Sequence, residues 1–141
     1  MNVKVFVKII SDKKLLLIKK SDVKYQHKWY LPGGTVTEKE SLTNAAMRLT
    51  ALATGYDIAI NGIYFLHYIT RPVSLRGLYI YYSGRILDGK LKSGADDYTL
   101  ESGWFDQKSV DSLELWFNMP EIIQMGELPL ISTSQLLFNQ D

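Results

Sequence analysis

Two arginines and two tyrosines in the middle of the chain have side chains that could bind an anion or stack on a flat ring. Arg71 and Arg76 flank Pro72 in a predicted loop, where a guanidinium could contact phosphate oxygens. Tyr79 and Tyr81 share one face of the strand predicted next and could stack on a base. Two alternatives stay open, because loop arginines are often solvated charges and strand tyrosines are often core residues. These four residues are our candidates for ligand binding.

Carboxylates are the second group that could carry chemistry, because Mg²⁺ is a hard cation that proteins hold through oxygen atoms. The acidic residues available for such a site are Glu38, Glu40, Asp96, Asp97 and Glu101, and the candidates for a metal ligand are Glu40 and Asp97. The chain has no cysteine, which excludes disulfides, thiolate nucleophiles and cysteine metal sites. Its two histidines do not have the spacing of metal ligands.

A turn and a helix between residues 29 and 56 would position much of this chemistry. Pro32, Gly33 and Gly34 predict the turn, because proline fixes one backbone angle and glycine adopts conformations that other residues resist. Ahead of them, Trp29 and Tyr30 are typical of a strand end.

The helix has recognisable ends in the sequence. Thr37 and Glu40 have capping-box spacing and Ser41 is a second candidate N-cap, so the helix should begin near residues 38–42. Gly55 is expected to end it.

One face of this helix is apolar. At about 100° per residue, its aliphatic and small side chains fall within an arc of roughly 120°. They are Leu42, Ala45, Ala46, Leu49, Leu52 and Ala53. Thr50 and Thr54 lie outside the arc. Because burial of a leucine is worth roughly 1.5–3 kcal/mol, we expect Leu49 and Leu52 to be covered, by the apolar tail at 128–138 or by a partner subunit.

Four residues of this stretch lie at the fixed positions of a known signature: Gly34, Glu40, Arg48 and Gly55. The signature is the Nudix box, G-x5-E-x7-R-E-U-x-E-E-x-G-U, in which U is a bulky aliphatic residue. The chain therefore resembles the Nudix hydrolases, which act on nucleoside diphosphates linked to another group. The resemblance covers nearly the whole chain and implies an α/β fold, namely an α/β/α sandwich with a mixed β-sheet.

The chain departs from the signature at the positions that matter for catalysis. In the family, three glutamates of the box carry divalent metals, whereas Leu49, Leu52 and Ala53 occupy those positions here. Thr50 and Tyr56 stand where the pattern has aliphatic residues.

The segment from Asp97 to Phe105 supports the resemblance separately. Nudix proteins often carry an acidic loop followed by a strand that ends in Trp-Phe, as Trp104 and Phe105 do here. In some members a glutamate of this loop is a metal ligand or general base. Tyr98 holds the aligned place, so an acidic function would have shifted to Asp97 or its neighbour.

Two functions are compatible with this reading. The first is a Nudix fold that binds a nucleoside diphosphate-type ligand or a protein partner, with weak or no hydrolysis and no expected cofactor. The second is an active hydrolase whose Mg²⁺ or Mn²⁺ is held by relocated acidic residues, since the chemistry needs a cation to activate water. The sequence leaves open whether the chain is an enzyme, which ligand it takes, and whether a homodimer covers Leu49 and Leu52.

Composition and length favour one folded domain over residues 1–141, with 46% hydrophobic and 22% charged residues. The net charge of +1 gives no electrostatic reason to expect DNA, RNA or a membrane surface as a partner. The N-terminus lacks a signal-peptide pattern, so a cytoplasmic location is the expectation.

Hydrophobic patterning predicts the remaining elements. Strands are predicted at residues 3–10, 13–20, 57–69, 77–87 and 100–105, and a helix at residues 111–117. The first two strands should form a hairpin around Ser11 and Asp12, and Gly62 should mark a bulge in the third.

Overall fold

The computed structural model describes residues 2–21, 28–116, 119 and 123. Its elements are β1 (Val3–Lys8), β2 (Ile10–Ser11), β3 (Lys14–Lys20), β4 (Trp29–Tyr30), β5 (Gly33–Thr35), α1 (Leu42–Thr54), β6 (Tyr56–Ile69), β7 (Gly77–Gly89), β8 (Thr99–Phe105) and α2 (Gln107–Ser112), with a 3-10 turn at Val73–Leu75. The predicted tail at 128–138 lies outside the described residues. Among those described, no helix is long and apolar enough to cross a membrane.

The described strands form two sheets. The first has the order β5-β1-β7-β6, in which β1 and β7 are parallel and the other neighbours are antiparallel. In the second, β3 pairs antiparallel with β2, β4 and β8. Helix α1 packs against β1, β5 and β6. The prediction of a mixed α/β fold is confirmed.

The first predicted hairpin is only partly correct. The turn at Asp12 and Lys13, both with positive φ, joins β3 to the short β2. Residues 3–8 instead form β1, which lies in the other sheet between β5 and β7. Because β1 is hydrogen-bonded along both of its edges, it has no edge left for β3.

The long β6–β7 hairpin follows the predicted pattern closely. The pairing register shifts between Ile60 and Gly62, which confirms the bulge expected at Gly62. Alternate residues of β7 face two different cores, since Tyr81 packs in one hydrophobic cluster and Ile80 and Tyr82 pack in the other.

The predicted C-terminal helix is misplaced. The sequence pattern put it at residues 111–117, whereas α2 covers Gln107–Ser112 and the chain is extended from Leu113. The N-cap is Asp106, whose carboxylate accepts a hydrogen bond from the Ser109 N–H at 2.8 Å. Asp106, directly after β8, is a residue type that favours an N-cap and so indicates this helix start. The apolar pattern placed the helix later.

Candidate functional site

The turn after β4 holds β5 unusually close to β1. A Cβ atom at Gly33 would lie 2.0 Å from the carbonyl oxygen of Val5 and 2.8 Å from the Cα of Phe6. Both are backbone atoms, so they cannot move aside without shifting β1. Glycine at position 33 is therefore required by the approach of the two strands.

Helix α1 begins and ends as the sequence indicates. Ser41, the second of the two candidates, is the N-cap, and its hydroxyl accepts a hydrogen bond from the Asn44 N–H at 3.1 Å. At the other end Gly55 adopts φ of 85° and donates its N–H to the Ala51 carbonyl at 2.9 Å. These two local devices fix the length of the helix.

The buried face of α1 differs from the predicted arc. Thr50 and Thr54 are fully buried, and each hydroxyl donates to the carbonyl four residues earlier, at 2.8 Å and 2.7 Å. Leu52 is 49% exposed and Leu42 is 37% exposed. The described residues do not cover Leu52, and its cover by the tail at 128–138 or by a partner subunit stays a prediction. The buried face instead includes threonines, because a threonine whose hydroxyl is satisfied within the helix can be buried.

Two of the three box positions without a glutamate do face the interior. Ala53 is only 3% exposed and belongs to the cluster around Phe6 and Tyr30. Leu49 is half-buried and packs against the other cluster. The three positions 49, 52 and 53 thus have three different environments.

Glu40 and Arg48 form a bidentate ion pair across the start of the helix. The Arg48 Nε donates to Glu40 Oε2 at 2.8 Å, and Nη2 donates to Oε1 at 2.6 Å. The Thr37 N–H adds a third hydrogen bond to the same carboxylate at 3.1 Å. The Arg48 guanidinium, with that N–H, lowers the pKa of Glu40 to about 2. This ion pair ties the loop before α1 to the helix.

We expect Glu40→Gln to destabilise the protein in a pH-dependent manner. The pKa of Glu40 falls from 4.5 to about 2 on folding, so the ion pair contributes its full stability above about pH 5. That contribution is lost as the pH falls from about 4.5 to about 2. The melting temperatures of the wild type and of Glu40→Gln, measured from about pH 5 to about pH 2, should therefore converge at low pH. In an Arg48→Gln background most of the pH-dependent difference should vanish; an unchanged difference would contradict the pairing.

The Lys20 ammonium group lies beside the turn at Gly33 and Gly34. Its Nζ donates to the Gly33 carbonyl at 3.1 Å and lies 5.3 Å from the centre of the Tyr30 ring. A Cβ at Gly34 would lie 3.2 Å from the same Nζ and 3.5 Å from a methyl of Leu49. The Lys20 ammonium group and the Leu49 side chain therefore both lie next to the position that a Gly34 side chain would take.

Lys20 was not among the candidate site residues that the sequence indicated. The available signal was that Lys20 follows Ile18 by two residues in β3, and the Ile18 side chain is fully buried.

The acidic candidates for a metal site do not converge. Within the described residues, no group of three or more histidine, aspartate or glutamate side chains could hold a metal ion. Glu40 is bound to Arg48, and Asp96 accepts hydrogen bonds from the Tyr98 and Thr99 N–H groups at 3.0 Å and 2.7 Å. Asp97 is exposed in the loop between β7 and β8.

The candidate ligand-binding residues occupy two different environments. Arg71 and Arg76 are exposed in the loop joining β6 to β7, and Arg76 Nε donates to the Thr70 carbonyl at 3.4 Å. This loop is at the opposite end of the β6–β7 hairpin from Gly55, where α1 ends. The structure therefore does not bring these arginines to the C-terminal end of the helix.

Tyr79 and Tyr81 are each only 1% exposed. This favours the alternative that the two tyrosines are core residues. Tyr79 donates its hydroxyl to the Leu75 carbonyl at 2.8 Å, and the ring of Tyr81 stacks on that of Phe6 at 5.2 Å. Neither ring presents a face on which a base could stack.

A separate open cleft of about 510 Å³ lies between α1 and the β6–β7 hairpin. Its apolar lining includes Met47, Ile60 and Leu87, and Thr43 and Asn61 supply polar groups.

Residues 1–125 match the NUDIX domain family. The chain belongs to this family. Its signature residues Gly34, Glu40, Arg48 and Gly55 lie in one continuous turn, loop and helix, where the ion pair and the glycine stop have structural roles.

Known relatives agree with this assignment. A Caenorhabditis elegans protein named "Putative nudix hydrolase 1" is 25% identical over 115 residues, which are 81% of this chain and 30% of that protein. This chain thus spans less than a third of that relative's length.

Solved structures of Nudix proteins share the fold. A NUDIX hydrolase from Nitrosomonas europaea aligns with a TM-score of 0.72 and 22% identity, over 89% of this chain and 70% of that one. The NUDIX domain of Shewanella oneidensis NrtR, crystallised with ADP ribose, aligns with a TM-score of 0.69 and 20% identity, over 89% and 84% of the two chains.

Proposed function

We propose that this Nudix protein binds a nucleoside diphosphate-type ligand and has weak or no family-type hydrolysis. The observation that carries the proposal is the environment of the three positions where the signature has metal-binding glutamates. Ala53 is buried, Leu49 is half-buried beside the Lys20 ammonium, and Leu52 is half-exposed. None of the three offers an oxygen atom.

A divalent cation does not fit these residues. Mg²⁺ and Mn²⁺ require oxygen ligands, usually carboxylates. Glu40, the carboxylate that the chain keeps from the signature, already accepts three hydrogen bonds, two of them from Arg48. Because a metal supplies several kcal/mol of transition-state stabilisation in such reactions, its loss should lower the rate by orders of magnitude.

Binding of a diphosphate compound is supported by the Nudix family membership of this chain and by one structural neighbour. The NrtR domain was crystallised with ADP ribose, in which a diphosphate joins adenosine to ribose. ADP-ribose is therefore the first ligand to test here.

We expect ADP-ribose to raise the melting temperature of this protein by about 5 °C or more at saturating concentration. The physical reason is that a ligand binding only the folded state stabilises it by mass action. Differential scanning fluorimetry measures the shift, and AMP and ribose 5-phosphate serve as controls that lack the diphosphate. A melting temperature that no nucleotide changes would contradict ligand binding.

The same samples decide whether hydrolysis remains. Incubation of ADP-ribose with the protein and Mg²⁺ or Mn²⁺, followed by chromatography, should show no breakdown above the protein-free blank. Turnover together with a stoichiometric metal site in a calorimetric titration would support the alternative hydrolase with relocated acidic residues. Size-exclusion chromatography would show whether a homodimer forms that could cover Leu52.

A further inference from the structure

We propose that the open cleft between α1 and the β6–β7 hairpin is a binding site for an uncharged, mainly apolar small molecule that carries a carbonyl group. None of the fixed positions of the Nudix signature lines this cleft. The inference therefore goes beyond the proposed function and does not depend on it.

The size and lining of the cleft suit a small molecule. Its volume of about 510 Å³ lies within the range that is typical of ligand pockets. Aliphatic side chains such as Met47, Ile60 and Leu87 form much of the lining, and no charged side chain of the described residues takes part in it. Because an ionic group would lose hydration there without meeting an opposite charge in the lining, the cleft favours an uncharged molecule.

Leu87 provides apolar surface that a ligand would cover. This leucine lines the cleft from β7, and its side chain is 62% exposed. Removal of that surface from water by a bound molecule is favourable. Met47 lines the cleft from α1, and its flexible side chain can adapt to the shape of a ligand.

The β-bulge of β6 places an amide group at the cleft. The pairing register with β7 shifts between Ile60 and Gly62, so Asn61 is the extra residue, and it lines the cleft. Bulges often re-aim a side chain in this way beside a site. The Asn61 Oδ1 accepts a hydrogen bond from Arg85 Nη1, which leaves the N–H groups of the same amide to donate.

The Tyr82 hydroxyl is a second donor. Tyr82 lines the cleft although it is only 2% exposed. Its hydroxyl makes no hydrogen bond to another residue within the part of the chain that the structure describes. Burial raises the pKa of Tyr82, so the hydroxyl keeps its proton at neutral pH and can donate it. An acceptor on the ligand would give this hydroxyl a partner.

These two donors identify the polar group of the ligand. A carbonyl oxygen has two lone pairs, so it can accept from both the Asn61 amide and the Tyr82 hydroxyl. A hydrocarbon would leave both donors unused. A carboxylate would bring a charge to a lining that holds no cation, and Arg85, which contacts Asn61, is exposed, so that water and salt screen its charge.

The test is a titration of the protein with cinnamamide, an uncharged aromatic amide, followed in proton–nitrogen NMR correlation spectra. We expect saturable shifts concentrated at Thr43, Asn61 and Leu87, with a Kd on the order of 1 mM for a molecule of this size. Cinnamate, which has the same shape and a negative charge, is the matched ligand and should bind at least about 5-fold more weakly.

Two variants and a control locate the binding. Leu87→Ser should weaken cinnamamide by about 3-fold or more, because apolar surface is lost from the cleft. Leu100→Ser should bind as the wild type does, since Leu100 is 46% exposed on β8 and does not line the cleft. Tyr82→Phe keeps the ring and removes only the hydroxyl, and it should weaken cinnamamide by about 3- to 10-fold.

The outcomes either support the inference or overturn it. Saturable shifts at the cleft that weaken in both Leu87→Ser and Tyr82→Phe would support it. It would be overturned by the absence of saturable shifts, by shifts centred elsewhere, by equal affinities of the wild type and Leu87→Ser, or by tighter binding of cinnamate than of cinnamamide. Because these samples contain no nucleotide, failure here leaves the proposed function intact. Competitive displacement of cinnamamide by ADP-ribose would show one shared nucleotide site and would overturn the inference alone.

Discussion

Ala53→Glu should lower the free energy of unfolding by about 3–5 kcal/mol, the usual penalty for an unpaired buried charge. Ala53 is 3% exposed and packs in the cluster that contains Phe6, Tyr30 and Leu31. A glutamate there must either lose its hydration or stay protonated, and its larger volume must also be accommodated by a close-packed core. Urea denaturation followed by circular dichroism measures the change.

Leu52→Glu is the matched control, because position 52 is also a glutamate position of the signature. Leu52 is 49% exposed, so a carboxylate there stays in water and should change stability by less than about 1 kcal/mol. Equal effects of the two substitutions would contradict the burial of α1 described above.

The comparison also bears on function. If Ala53→Glu behaves as expected, the metal ligands of the family cannot be restored by exchanging side chains alone, because one position now supports the core. A well-folded Ala53→Glu protein that gains a magnesium site would show that the helix can still turn that position towards a ligand.

Gly33→Ala should destabilise the protein by about 3 kcal/mol, at the upper end of the range for overpacked sites. Its Cβ would lie 2.0 Å from the Val5 carbonyl oxygen, so β5 and β1 would have to separate. Gly103→Ala is the control, since the nearest atoms there belong to the Phe105 side chain at 3.3 Å and 3.4 Å, and a side chain can move. We expect less than about 1 kcal/mol for the control.

Chemical denaturation measures the change in the free energy of unfolding. Stability equal to that of the wild type would contradict the close approach of the two strands.

Much of the local structure around the candidate site could be predicted, because it depends on residues that are close to each other in the sequence. The Ser41 cap, the Gly55 stop and the box spacing of Glu40 and Arg48 involve partners within eight residues of each other. The alternation of β7 likewise assigned Tyr81 and Ile80 to opposite faces.

The errors came from features that depend on packing. Hydrophobicity alone left Thr50 outside the buried face of α1, whereas Thr50 is buried and satisfies its hydroxyl on the Ala46 carbonyl. The α2 prediction followed apolar residues after 113, although the extended chain there pairs Leu115 with Trp29.

The sequence by itself determined the family, the mixed α/β fold, the limits of α1 and the absence of glutamates at positions 49, 52 and 53. These follow from residue identity and from spacings of a few residues, which local hydrogen bonds and backbone angles decide. Only the tertiary structure decided which face of α1 is buried and that Lys20 lies against Gly33 and Gly34. Those contacts join β3, β5 and α1, so they depend on how sheets and helix pack together, which no local spacing determines.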